Sequence, residues 1–173
     1  MRKRSNQIKA LAALAAVMVG TAFAKTPDTI EAKVRHELIM LPYYNLFDDL
    51  SYRVEGTTVD LFGEVTDPVV KRDAENVVKK IEGVTAVNDQ IEVLPLSPMD
   101  HQIRWREYRA IFAYAPLQRY SMGALPSIHI IVKNGNVTLK GFVSSAMDKQ
   151  LVYMRANGVP GVFSVTNDLQ IEK

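Results

Sequence analysis

Residues 103–120, IRWREYRAIFAYAPLQRY, gather Arg104, Arg106, Arg109 and Arg119 around Trp105, the only tryptophan of the chain. Tyr108, Phe112, Tyr114 and Tyr120 are interleaved with them. Arginine beside tryptophan and tyrosine is the combination an anionic membrane interface favours. The guanidinium meets phosphate, and the amphipathic ring sits at headgroup level. On this reading Arg104, Trp105, Arg106, Tyr108, Arg109, Phe112 and Arg119 form a lipid-binding face. Two other readings of the same residues stand beside it. Trp105, Tyr108, Ile111 and Phe112 recur near helical spacing, which suits a core with arginines snorkelling past it. A basic helix can also dock on an acidic surface elsewhere in the chain. Each arginine near an anionic surface contributes about 1 kcal/mol, so four by themselves reach roughly millimolar affinity. Such binding is reversible and salt-sensitive.

Other chemistry is hard to find. His36, His101 and His129 have no second histidine or carboxylate at metal-ligand spacing, so no metal site is expected. His129 alternates outward from Ile128 and Ile130 and reads as a solvated strand residue. Asp48 and Asp49 are adjacent in a loop, where side chains diverge, and do not form a catalytic pair. Asp148 stands at a helix start, where a carboxylate suits the dipole. With no cysteine there is no thiolate nucleophile, no disulfide and no lipid-bearing thiol. No phosphate-cradling glycine loop occurs. Neither an enzyme nor a cofactor is expected.

The elements that must carry the basic segment are written twice. Residues 59–65, VDLFGEV, return 78 positions later as 137–143, VTLKGFV. Without a gap, Gly83, Val84 and Val87 then fall on Gly161, Val162 and Val165. A period this long means a small domain rather than a solenoid unit. In each copy a half-buried strand (Leu50, Tyr52, Val54; Ile128, Ile130, Val132) precedes a turn and a second strand. Gly56 serves the first turn, and Asn134-Gly135 the second. A helix follows, capped by Asp67 with Pro68 at its first position, and by Ser145 in the second copy. Val70, Ala74, Val77, Val78 and Ile81 share one face of it, and Val152, Ala156 and Val159 match in the second copy. Final strands run over 84–93 and 162–171. A helix also precedes each set, with Ile30, Val34 and Leu38 on one face and Pro27 near its start, and over about 101–115 in the second copy.

The expected fold is therefore α+β: two tandem small domains, each helix-strand-strand-helix-strand. Each has a three-stranded mixed sheet with two helices packed on one face. The boundaries are a signal peptide at 1–24, a first domain at 25–94, a short stiff linker at 95–98 and a second domain at 99–173. Gly63 and Gly141 are read as packing positions under a helix.

Arg2, Lys3, Arg4 and Lys9 followed by the apolar run 10–24, ending Ala22-Phe23-Ala24, form an export signal with its cleavage site. Removing those four basic residues from the total leaves 17 Lys+Arg against 19 Asp+Glu. Residues 25–95 hold 8 basic and 14 acidic residues, whereas 96–173 hold 9 and 5. An acidic half precedes a basic one.

The pattern Val-x-Leu-x-Gly-x-Val, a helix of about twenty residues' span, then Gly-Val-x-x-Val resembles the BON domain (bacterial OsmY and nodulation). Two copies behind a signal peptide look like the periplasmic proteins of the OsmY type. The resemblance implies a non-enzymatic periplasmic protein associated with envelope phospholipid and outer-membrane integrity under stress, including osmotic stress. A related two-domain lipoprotein uses the first helix of its second domain on anionic lipid; the present chain lacks the cysteine that would carry such an anchor. The alternative in keeping with the resemblance is a soluble stress chaperone holding unfolded outer-membrane or secreted clients. Nucleic acid is disfavoured by export. Protein recovered from the periplasm should begin at Lys25, and N-terminal sequencing that finds Met1 would refute the cleavage site.

Overall fold

The computed structural model describes residues 29–123 and 125–172; the expected export signal at 1–24 and Pro27 lie outside them. Helix α1, Ile30–Ile39, starts where the Thr29 hydroxyl accepts from the Ala32 amide and buries Val34 and Leu38. Strands β1, Asp49–Glu55, and β2, Thr58–Val65, form an antiparallel hairpin with Val54 opposite Val59. Helix α2, Pro68–Lys79, takes Asp67 as its cap and buries Val70, Ala74 and Val78. The crossover returns the chain parallel to β2 as β3, Ala86–Asp89, and β4, Glu92–Val93.

The second copy repeats this order. Helix α3, Pro98–Phe112, leads to β5, Ile128–Lys133, and β6, Asn136–Val143. Helix α4, Ala146–Asn157, is capped by Ser145 and followed by β7, Ser164–Asn167, and β8, Gln170–Ile171. Strands β5 and β6 are antiparallel; β7 and β8 run parallel to β6. The α+β expectation of two mixed sheets, each with a pair of helices, is met. One core gathers around Val34, Leu61, Val78 and Ile91, the other around Ile103, Leu117, Ile130 and Leu139.

Three local expectations change. The last strand of each copy is broken rather than continuous. At the breaks, Asp89 Oδ1 accepts from the Ile91 amide at 2.9 Å and Asn167 Oδ1 from the Leu169 amide at 3.4 Å. These side-chain turns send Ile91 and Leu169 into the cores. Lys71 Nζ then bonds the Ile91 carbonyl, and Lys149 Nζ the Leu169 carbonyl, each at 2.6 Å. The two lysines are also 78 apart, a polar match that apolar periodicity passes over. Helix α3 begins earlier than expected because Ser97 Oγ caps the Asp100 amide at 3.1 Å and Pro98 fits the first turn. The end of the 95–98 connector thus belongs to the helix, and a 3₁₀ turn at Ala115–Ser121 follows it.

The glycines lie under a strand carbonyl, not a helix. Gly63 has φ +125° and Gly141 φ +104°. A Cβ there would stand 2.0 Å from the Asp49 carbonyl oxygen and 2.1 Å from that of Ser127. The Ser127 carbonyl accepts from the Phe142 amide at 2.9 Å, so it cannot retreat without breaking the sheet. Only glycine combines this backbone with this approach.

One core position defies its environment. Glu107 is four residues from both Ile103 and Ile111 on α3, hence on the same face, and all three are wholly buried. Neither carboxyl oxygen of Glu107 has a hydrogen-bond partner among the described residues. Burial pushes its pKa up to about 8, so the carboxyl is mainly protonated at neutral pH.

Replacing Gly141 by valine should cost about 2–4 kcal/mol, combining backbone strain with overpacking. A thermal melt in which the second domain is unchanged would refute the close approach. For Glu107 the folded pKa exceeds the unfolded one. The folded state therefore holds an extra proton between about pH 4.5 and 8, and stability falls as pH rises through that window, by up to roughly 1.4 kcal/mol per unit. Denaturant unfolding of Glu107→Leu against the parent should show the variant's advantage growing from pH 5 to pH 8. A pH-independent difference would mean the carboxyl titrates normally.

Candidate functional site

Helix α3 divides the basic aromatic segment between three destinations. Its inward face buries Ile103, Arg104, Glu107, Ile111 and Phe112. The expectation that Arg104 and Phe112 present themselves to a surface is corrected here. Arg104 is 6% exposed and its Nη2 donates to the Val132 carbonyl at 2.8 Å, while Phe112 is 4% exposed in the second core. The outward face carries Trp105, 45% exposed, with Arg106 and Arg109, and half-buried Tyr108 beside them. Arg106 bonds the Pro160 carbonyl at 3.1 Å through one nitrogen. The rings His101, Trp105, Tyr108 and Phe112 meet in series along the helix, edge-on or tilted, at centroid distances of 6.4, 5.7 and 5.2 Å.

Arg119 has a different task. It pairs with Asp148 Oδ2 at 2.7 Å and lies over the Tyr120 ring at 4.8 Å. Asp148 also accepts from Tyr120 Oη at 2.9 Å and from Ser145 Oγ at 2.6 Å. The Ser145 hydroxyl first, then Tyr120 and Arg119, hold its carboxyl below the usual range. Asp148 thus fastens the 3₁₀ turn to the start of α4, beyond the dipole role its position suggested. Arg106, Arg109 and Trp105 remain as the part of the expected face that is exposed and outside an ion pair, with Tyr108 at its margin.

Beside this face the two domains meet. Asp48, wholly buried, accepts at one oxygen from the Thr66 amide and hydroxyl, 2.6 and 2.7 Å, and at the other from the Asn45 amide and side chain, 3.1 and 2.8 Å. Burial pushes its carboxyl up, and these bonds pull it back. The loop 43–48 so held offers its Leu46 carbonyl to the Ile130 amide at 2.8 Å, covering the free edge of β5. Phe47 meets Trp105 edge-on at 5.3 Å, and Leu46 and Phe47 both pack against the second core.

His129 is therefore no solvated strand residue. It is 8% exposed, stacks on Tyr44 at 5.8 Å and has Nδ1 2.6 Å from the Asp48 carbonyl. A carbonyl only accepts, so Nδ1 carries the hydrogen. Burial pushes the imidazole below its ordinary value, against the pull of the Asp48 carbonyl and of Asp49. The first five residues of β5 are buried, unlike those of its counterpart β1, because the first domain covers what the second leaves open.

Charge follows the same geometry. Lys140 Nζ lies 2.9 Å from Asp49 and 2.8 Å from Glu64, all three partly buried. Burial works to lower the Lys140 ammonium, but the bonds to Glu64 and Asp49 outweigh it and raise it. Lys133 reaches Glu92 at 2.6 Å in a more exposed pair that contributes little. The acidic and basic halves of the sequence thus meet in ion pairs across the joint. Asp48 and Asp49 do diverge, one inward to its own loop and the other to Lys140. His129, Lys140 and Leu46 escaped the sequence reading because their partners lie 81, 91 and 84 positions away in the chain.

A groove of about 830 Å³ lies along the joint, walled by the loop 45–47, the connector 94–98 and the first turns of α3. Among the described residues no group of three or more His, Asp or Glu could hold a metal ion, and no helix is long and apolar enough to cross a membrane.

Comparison with known proteins supplies the family. No curated protein matches the chain. Two solved structures of CdsD, a structural protein of the type III secretion system of Chlamydia trachomatis, are similar at 14% and 12% identity. The alignments cover 82% and 83% of this chain and 96% and 93% of those, with TM-scores of 0.28 and 0.31. At such values the likeness bears on neither architecture nor role. The family model described as BON domain matches residues 26–95 and 116–173, leaving the connector and α3 between its two segments. With both repeats matched, the chain belongs to the BON domain family.

Proposed function

We propose that this is a non-enzymatic, exported envelope protein that touches anionic phospholipid, reversibly, through the outward face of α3. The observation that carries the reading is Trp105, 45% exposed beside the exposed Arg106 and Arg109 of the same helix. Two accessible arginines contribute about 2 kcal/mol at an anionic surface, too little to hold the protein there. Affinity then depends on Trp105 entering the headgroup layer, where its ring is favoured. Support of outer-membrane integrity or a stress response follows from such contact.

A second reading, the holding of unfolded outer-membrane clients, draws on another observation. Met99, Met122, Met147 and Met154 are all more than half exposed on the second domain, and methionine suits adaptable apolar contact. Suppression of client aggregation in lipid-free buffer would favour it.

The lone tryptophan reports on the lipid reading directly. Anionic vesicles should shift Trp105 emission to the blue, and zwitterionic vesicles should not. Arg106→Glu with Arg109→Glu changes the local charge by four and should weaken vesicle binding about a hundredfold or more. Raising salt should weaken the parent in the same direction, since the Debye length is about 10 Å at 0.1 M. Stability should move by under about 0.5 kcal/mol. Binding that survives the double reversal with the fold intact would overturn the lipid reading.

A further inference from the structure

The joint covers the edge of β5 and leaves its counterpart, the edge of β1, bare. The turn of the first hairpin closes with Glu55 opposite Thr58, so Ser51, Arg53 and Glu55 bond back to β2. Leu50, Tyr52 and Val54 then turn their amides and carbonyls outward. The Leu50 amide donates to Tyr44 Oη at 3.3 Å. Among the described residues nothing pairs with the outward groups of Tyr52 and Val54. Tyr52 stands 78 positions before Ile130, whose amide takes the Leu46 carbonyl. A stretch of polypeptide thus covers this position in the second repeat and not in the first.

The bare edge borders a groove shared with α1. Glu31, Arg35 and Ile39 follow one another at four-residue spacing on one side of that helix. With Tyr52 they line a hollow of about 480 Å³. Arg35, Ile39 and Tyr52 also line a second hollow of about 390 Å³, so the two adjoin; Leu50 and, from the second domain, Phe142 complete its wall. Ile39 is 46% exposed and Phe142 53%, so this apolar wall is open to solvent. Arg35 is exposed and makes no ion pair or hydrogen bond among the described residues.

We propose that the edge of β1 takes an extended peptide as an added strand, with its alternate apolar side chains against Ile39, Tyr52 and Phe142 and its C-terminal carboxylate on Arg35. Each part of this partner answers a feature of the protein. Unpaired amides and carbonyls at alternate residues of a strand are matched by a second backbone, and apolar pockets beside it select alternate side chains. The chain carries an example of the fit at β5, where Leu46 gives its carbonyl to the edge and Leu46 and Phe47 pack on the core beside it. A free guanidinium at the groove suits a carboxylate. A hydrocarbon tail would fill the hollows but leave the edge groups unpaired. The proposal deepens the client-holding reading and rests on it for the source of the peptide, an unfolded client. It uses neither α3 nor the exposed methionines.

The probe is a fluorescein-labelled hexapeptide of alternating valine and threonine, ending in phenylalanine with a free carboxylate, added to the whole chain in lipid-free buffer. Its anisotropy should rise saturably. In hydrogen exchange the bound peptide should slow the Tyr52 and Val54 amides and leave Ser51 and Arg53, already paired to β2, unchanged. Methylating one alternate set of the peptide's nitrogens should abolish binding, and methylating the other set should not. Amidating its C-terminus should weaken binding to the parent about tenfold, as loss of a charge-assisted bond does. Arg35→Gln should weaken the acid by the same factor and bind the amide like the parent. Phe142→Ser, at an exposed position outside both cores, should weaken both peptides. Arg106→Glu with Arg109→Glu should bind the peptide like the parent, which separates this site from the vesicle contact. Client aggregation suppressed by the parent and by Phe142→Ser alike, with no peptide bound, would refute this site and leave the holding reading standing. Peptide binding without such suppression would refute the holding of whole clients and support the site as a receptor for peptide termini. Equal binding of acid and amide, unslowed Tyr52 and Val54 amides, or a dimer of the chain that protects those amides without peptide would overturn the proposal.

Discussion

A single buried carboxylate holds the joint on which the rest of the molecule depends. Asp48 spends its two oxygens on Thr66 at the end of β2 and on Asn45 within its own loop. The loop so fixed presents the Leu46 and Asp48 carbonyls to β5 of the second domain. An unpaired strand edge is a liability in any small sheet, and here one domain covers the edge of the other. The four bonds Asp48 accepts offset part of the desolvation of its charge, although burial still leaves its carboxyl above the ordinary value. Without them the loop could not offer two carbonyls in register with Ile130 and His129.

That joint explains why equivalent elements of the two repeats behave differently. Strand β1 keeps a partly exposed face, while β5 is buried through its first five residues. His129 faces Tyr44 and Asp48 instead of solvent, and Lys140 lies between Asp49 and Glu64. The acidic first half and basic second half are complementary surfaces of one contact. Ion pairs that are partly buried and doubly bonded, as at Lys140, fix orientation better than exposed ones such as Lys133 with Glu92.

The same contact shapes the surface next to it. Phe47 meets Trp105 edge-on, and the ring, packed also between His101 and Tyr108, stays 45% exposed. Arg106 and Arg109 stand outward on the same helix, and Arg104 turns inward to the Val132 carbonyl. Helix α3 and its connector fall between the two segments matched by the family model. That unmatched stretch carries the basic face and one side of the groove at the joint, while the matched loop 45–47 forms the other side.

The sequence by itself determined the repeating architecture. Apolar periodicity, the caps Asp67 and Ser145 and the turn at Asn134-Gly135 are local signals, legible because each acts through neighbours a few residues away. Even so, the glycine positions were visible while their cause was not, since the carbonyls of Asp49 and Ser127 approach from a separate strand. Which arginines face water was decided by the rotation of α3 against the second core. A helical pattern puts Arg104 and Arg106 about 200° apart, on opposite sides of the helix, but packing decides which side turns inward. Glu107 went unread in the sequence although it is spaced to share a face with Ile103 and Ile111, and only packing shows that no partner among the described residues reaches it. The joint was decided by tertiary structure alone. Its contacts join residues 41 to 91 positions apart, and hydrogen bonds between a loop carbonyl and a distant strand amide leave no mark on local composition.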